Sequence, residues 1–262
     1  MAVDLGALAG DLGAETDALL LVLAPLDATG WATPTPSPGW RVQEQVAHLA
    51  YFDEQAALAA TDADGFAREL EEALADPDGL TGRIATRSQS MSGAEVFDWF
   101  RTARASMVST FLGLDPSARV PWYGPPMSVA SSLTARIMET WAHGQDVYDA
   151  LGREHPVTGA VRQVCHLGIR TFGFAYVNRG LEVPTVPVRV ELAAPDGEVW
   201  TWGPDDAVDT VRGPALDFAL VVTRRVRVGD TALAVEGPVA TEWMGIAQAF
   251  AGPAGEDPAP RA

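Results

Sequence analysis

Four times within the first 150 residues, apolar side chains line up at the spacing of one helical face, and few folds accept that pattern. The first set is Leu5, Leu8, Leu12, Leu19, Val22, Leu23 and Leu26, which predicts a helix over 5–26 that stops at Asp27 to Gly30. Residues 33–40 read Thr-Pro-Thr-Pro-Ser-Pro-Gly-Trp, and alternating prolines force their predecessors into extended conformations, so this stretch is a connecting loop. A second helix is predicted over 42–60, with Val42, Val46, Leu49, Phe52 and Ala56 on its buried face. A less regular acidic segment covers 62–78. Ser92 and Glu95 form a capping box ahead of Val96, Phe97, Phe100, Met107, Val108 and Phe111, which marks a third long helix. After the loop Pro-Trp-Tyr-Gly-Pro-Pro-Met (121–127), Ser128 can cap a fourth helix that runs to Ala150 and stops at Gly152. Long amphipathic helices joined by loops able to cross over describe a four-helix bundle.

The texture changes after residue 154. One more helix is predicted over 161–178. Residues 186–192 then alternate with the strand period, and Pro195, Asp196 and Gly197 turn the chain into a second strand over 198–202, a hairpin. A strand over 208–212, a helix over 214–223, a strand over 232–236 and a helix over 239–250 follow. The fold class is therefore α+β in two domains: a bundle over 1–154, a small α/β domain over 155–251, and a Pro/Gly/Ala tail over 252–262 expected to be flexible. There is no internal repeat.

Composition removes several functions. All 18 basic residues of the 262 are arginine, so neither a Schiff-base lysine nor a Walker-type phosphate loop is available. The net charge of −17 repels phosphate backbones and anionic lipid, which argues against nucleic acid and membrane partners and in favour of a small molecule. The single cysteine, Cys165, excludes an internal disulfide and any multi-cysteine metal site. The N-terminal stretch carries acids, no basic segment and only a short apolar run, so neither export nor insertion is indicated and a cytoplasmic location is expected. The abundance of Ala, Arg, Gly and Pro without Lys is what a GC-rich bacterial genome encodes.

Chemistry concentrates on the predicted fourth helix, where Glu139 and His143 stand at i and i+4 on one face and Asp146 continues the same stripe. A histidine and a carboxylate so placed can share a metal ion. A third ligand must come from another helix, and His48, beside the apolar stripe of the second helix and 91 residues from Glu139, is the candidate. Two histidines and one carboxylate leave positions open on the metal, the catalytic pattern rather than the structural one. The plain alternative is an exposed stabilising pair on one helix and a hydrogen-bonded core histidine on the other. His155 reads as a linker residue, His166 as a helix-surface or domain-contact residue, and Cys165 as packed core. Trp122 and Tyr123 sit in a Pro/Gly-constrained loop able to form the rim of a pocket. No GxSxG, HExxH, GxGxxG or EF-hand pattern is present.

The segments 39–49 (Gly-Trp-Arg-Val-Gln-Glu-Gln-Val-Ala-His-Leu) and 138–147 (Met-Glu-Thr-Trp-Ala-His-Gly-Gln-Asp-Val) resemble the mycothiol-dependent maleylpyruvate isomerase family of DinB-like metal-binding bundles. Segments 212–220 and 233–243 are similar to that family's C-terminal, sterol-carrier-like domain. The resemblance implies a divalent metal, usually zinc, held by His48, Glu139 and His143, with mycothiol as cosubstrate and an actinobacterial source. It also implies an arginine from the C-terminal domain near the active site, which falls here on Arg224 or Arg225, although the local pattern departs from the family's. Three readings stay open: a mycothiol-dependent transferase or isomerase acting on a small electrophile; a thiol-independent hydrolase on the same metal, with Asp146 as base or as orienter of a ligand; and a non-catalytic metal- or ligand-binding protein. A monomer or homodimer is expected.

Overall fold

The computed structural model describes residues 3–255 and 257–259, in two compact units that divide between Thr158 and Gly159. The first contains α1 (Leu5–Leu23), the single turn α2 (Ala28–Trp31), α3 (Val42–Thr61), α4 (Ala63–Ala75), α5 (Pro77–Gln89), α6 (Gly93–Leu112) and α7 (Val129–Ala150). A short antiparallel ladder, β1 (Arg119–Val120) with β2 (Met127–Ser128), closes the loop ahead of α7. Helix α3 packs against α6 and α7, and α1 packs against the same two, which closes the four-helix ring.

The helix starts follow from their caps. Ser92 accepts from the Glu95 amide while the Glu95 carboxylate accepts from the Ser92 amide, and Ser128 accepts from the Ser131 amide at 3.1 Å. At the other end of α7, Gly152 takes the left-handed conformation (φ +61°) that stops the helix. The apolar stripes meet as expected: Leu19, Leu23, Val42, Val46, Leu49, Val96, Phe100 and Val147 belong to one buried cluster. Each such side chain contributes roughly 1.5–3 kcal/mol on burial.

Several predicted boundaries differ, among them the closing helix predicted over 239–250, which ends at Ile246. Helix α1 ends at Leu23, short of Leu26, because Pro25 has no amide to donate; the chain restarts as α2, capped by Asp27. The acidic segment over 62–78, read as less regular, holds α4 and the start of α5, begun by Asp62 and Asp76, whose carboxylates accept from the Gly65 and Gly79 amides at 2.9 Å. Helix α4 is amphipathic and buries Phe66 and Ala73, seven residues apart on one face, and α5 buries Ile84. The helix predicted over 161–178 breaks at Thr171 into α8 (Ala160–Arg170) and α9 (Phe172–Val177).

The second unit continues with β3 (Val188–Ala193), β4 (Val199–Trp202), β5 (Asp209–Pro214), α10 (Ala215–Val222), β6 (Ala234–Glu236) and α11 (Pro238–Ile246). Its sheet has the order β4-β3-β5-β6, with β3 and β5 parallel and the other pairs antiparallel. The β3–β4 turn is the one read from Pro195 to Gly197, and Gly197 supplies its positive φ of +89°. Helix α10 packs on α8, β3 and β5, and α11 on α9, β5 and β6. Residues of the expected loose tail are tied down: Asn178 donates to the Gly252 carbonyl, Gln248 to that of Pro253, and Arg179 to that of Gly255. Residues 256 and 260–262 of that tail lie outside the described residues. No helix among the described residues is long and apolar enough to cross a membrane.

Candidate metal centre

Helix α3 carries His48 and α7 carries Glu139 and His143 on the faces these helices turn to each other. Glu139 Oε2 lies 3.4 Å from His48 Nε2 and 3.2 Å from His143 Nε2. One ligand atom from each residue falls within 4.8 Å of the others, and all three side chains are partly buried. Nitrogen, nitrogen and carboxylate oxygen converging from two helices form a donor set that suits a divalent transition metal. The i,i+4 spacing thus serves a cluster that includes a second helix, not an isolated surface pair.

The electrostatics favour a neutral His48 and an ionised Glu139, the forms in which these groups can hold a metal. Burial, followed by the neighbouring His143, pushes His48 down to about 4, against the pull of Glu139. Burial opposes ionisation of Glu139, but the imidazoles of His143 and His48 beside it outweigh that and hold the carboxyl well below its ordinary range. Trp40 stacks on His143 with centroids 5.8 Å apart, and Phe52 lies 4.6 Å from His48.

Around the site lie Asp146, expected from its place on the stripe of α7, and several residues that spacing alone did not single out. His143 Nδ1 faces Gln45 Oε1. Gln45 Nε2 donates to Thr35 Oγ1 at 2.8 Å and reaches Asp146 Oδ2 at 3.4 Å, and Ser37 Oγ donates to the same Asp146 oxygen at 2.9 Å. Asp146 is buried behind Gln45, which itself faces His143. Deeper in the bundle, Asp53 accepts from Arg104 Nε at 2.7 Å and from Arg136 Nε at 3.0 Å, and all three residues are buried. Arg104 also donates to Thr16 and Thr140, which ties α1, α3, α6 and α7 into one polar network. A polar residue on the apolar stripe of α3 was the available signal for Asp53, and the i,i+3 relation to His48 was that for Gln45.

Trp122 and Tyr123 connect to the centre through Phe52, with ring centroids 6.1 and 5.6 Å from it, and both also pack on Phe66. Tyr123 and Tyr51 share Glu69 as hydrogen-bond acceptor. Burial and the Glu69 bond push the Tyr51 hydroxyl up to about 12. Arg224 and Arg225 belong to the second unit. Arg224 has a positive φ of +59° and donates to the carbonyls of Gly245 and Gly255 and to Asp257, while Arg225 donates to the Thr223 carbonyl at 2.6 Å.

The remaining candidates resolve individually. Cys165 is buried, its thiol donates to the Ala215 carbonyl at 3.4 Å, and burial pushes its pKa up, all as a packed core residue requires. His166 is exposed on α8. His155 departs from its linker reading: its ring is buried, stacks on Tyr148 and Trp141, and meets the fully buried Glu15 at 2.6 Å. A proline neighbour suggested a loop, and that is correct for the backbone; only the fold could supply the partners of the side chain.

Residues 12–148 match the family model described as the mycothiol maleylpyruvate isomerase N-terminal domain. Uncharacterized proteins of two Mycobacterium tuberculosis strains, CDC 1551 / Oshkosh and H37Rv, are each 43% identical over 252 residues, spanning 96% of this chain and 98% of the relative. Among solved structures, the crystal structure of the mycothiol-dependent maleylpyruvate isomerase superposes with a TM-score of 0.56 at 14% identity, covering 90% of this chain and 95% of that one. A mutant of the same isomerase gives the same score over 85% and 90%. At that identity the likeness is one of fold, and it spans both the bundle and the α/β unit.

Proposed function

The chain belongs to the mycothiol maleylpyruvate isomerase N-terminal domain family, and from that premise we propose that it binds a divalent metal, zinc by preference, through His48, Glu139 and His143 and uses mycothiol to transform a small electrophilic molecule. The observation that carries this reading is the convergence of the three ligand atoms within 4.8 Å. A metal bound there supplies Lewis acidity and a lowered thiol pKa. The chain's own residues do the rest. His48 stays neutral at pH 7 and so keeps a lone pair to offer, and Glu139 stays anionic and contributes the charge that favours a cation. Trp40 and Phe52 shield the two imidazoles from water. Trp122 and Tyr123 are assigned to the approach for thiol or substrate, since they continue the aromatic surface that begins at Phe52.

A thiol-independent hydrolase would need a base beside the metal. Asp146 bonds to Gln45 and Ser37, which favours the orienting role for it over the basic one. The acidic composition remains the argument for a small-molecule partner, and the single cysteine suits a reducing, cytoplasmic setting. The deciding experiment compares consumption of an electrophile such as maleylpyruvate by the purified protein with mycothiol, without it, and after chelation. Turnover that needs both mycothiol and metal supports the proposal. Turnover without thiol would establish the hydrolase, and a protein free of metal that turns over nothing would leave only a binding role.

A further inference from the structure

We propose that Gln45 is a positioning residue that sets the tautomer of His143, and that Thr35 and Asp146 hold the Gln45 amide in the one orientation that does so. A carboxamide has an acceptor end and a donor end, and its neighbours decide which way round it sits. Thr35 Oγ1 donates its proton to the Trp40 carbonyl at 2.9 Å, so it is left as an acceptor toward Gln45 Nε2 at 2.8 Å. The Asp146 carboxylate oxygen at 3.4 Å from the same nitrogen is also an acceptor, and Ser37 Oγ holds it in place at 2.9 Å. Both neighbours therefore select the NH2 group at that end, which leaves Oε1 for His143.

An oxygen acceptor at Nδ1 requires the imidazole proton to be on Nδ1, so the neutral ring presents its lone pair at Nε2, the atom that faces Glu139 Oε2 at 3.2 Å. A flipped amide would set its NH2 against Nδ1, its oxygen against Thr35 Oγ1 and the carboxylate, and the His143 proton on the atom meant to ligate. The loop over 33–40 thus has a task. Its Thr35 and Ser37 orient Gln45 and Asp146, and its Trp40 stacks on His143.

This inference rests on the metal reading proposed above, and the test separates the two. The full-length protein is stripped with a chelator and titrated with Zn2+ in competition with a chromophoric chelator, and in parallel with Co2+ to read the visible bands that report ligand geometry. Gln45→Leu should bind Zn2+ about ten- to a hundredfold more weakly than wild type and alter the Co2+ bands. Asp146→Leu should also weaken binding, Asp146→Asn, which keeps an acceptor oxygen, should restore it, and the Gln45→Leu/Asp146→Leu double variant should bind no more weakly than Gln45→Leu alone. Thermal unfolding of the stripped variants reports whether they fold, and Gln45→Met replaces Gln45→Leu if the latter does not. Wild-type Zn2+ affinity in Gln45→Leu or Gln45→Met, or an Asp146→Leu loss that persists unchanged without Gln45, overturns the inference alone. A wild-type protein that binds neither metal overturns it together with the metal reading.

Discussion

Protons compete for the nitrogen that His48 would offer to a metal under the proposed function, and the competition sets a pH dependence with a definite sign. His48 lies at about 4 in the folded protein, below the ordinary histidine value of 6.5. The unfolded chain therefore takes up a proton that the folded chain refuses across that window. Metal-free stability should be fully present above about pH 6.5 and fall as pH drops toward 4, by at most about 3 kcal/mol. Glu139, held below its ordinary value, extends the loss to lower pH. Thermal denaturation across pH 4 to 7 checks this: His48→Gln should flatten the slope, and a variant as pH-sensitive as wild type would show that His48 is not its source. At the same scale, His143→Ala should lose the about one metal ion per chain expected of wild type, as read by elemental analysis after gel filtration. Full occupancy in that variant would contradict the ligand assignment.

Among the elements, α3 matters most, since it carries Gln45, His48 and Asp53 on successive turns facing α6 and α7. Asp53 is the common acceptor for Arg104 on α6 and Arg136 on α7, and both guanidinium groups are nearly sealed from water. Asp53→Ala leaves two buried cations without their carboxylate and should cost about 3–5 kcal/mol, measured by urea denaturation. A cost under about 1 kcal/mol would mean that water reaches the arginines. Helix α4, by contrast, depends on local chemistry. Asp62→Ala removes the cap on the Gly65 amide and should cost only about 1 kcal/mol.

For the whole molecule, the division after Thr158 has a consequence that can be measured. His155 and Thr158 are partners of Glu15, which is fully buried in the bundle. A fragment of residues 1–158 should fold and bind metal, since its core and its ligands lie within it. A fragment ending at residue 154, the boundary read from the change in texture, strands Glu15 as a buried carboxylate without either partner. It should be less stable than the longer one by about 3–5 kcal/mol. Equal melting temperatures for the two fragments would show that Glu15 finds other partners or water.

The helices of the bundle, their caps at Ser92 and Ser128, the strand hairpin and the residues of the candidate triad were legible in the sequence. Each depends on neighbours within a turn or two of chain, or on a motif that a resemblance could carry. Apolar periodicity marks a helix because one face must leave water, whatever it packs against. What the tertiary structure decided are the relations between groups far apart in sequence: His48 meeting Glu139, His155 meeting Glu15, Asp53 drawing Arg104 and Arg136 together, and Gln45 reaching His143. A polar side chain on an apolar stripe announces that it must find a partner but not which one. The choice is made when four helices pack and a buried charge settles against whatever opposite charge or hydrogen-bond donor the packing brings within reach.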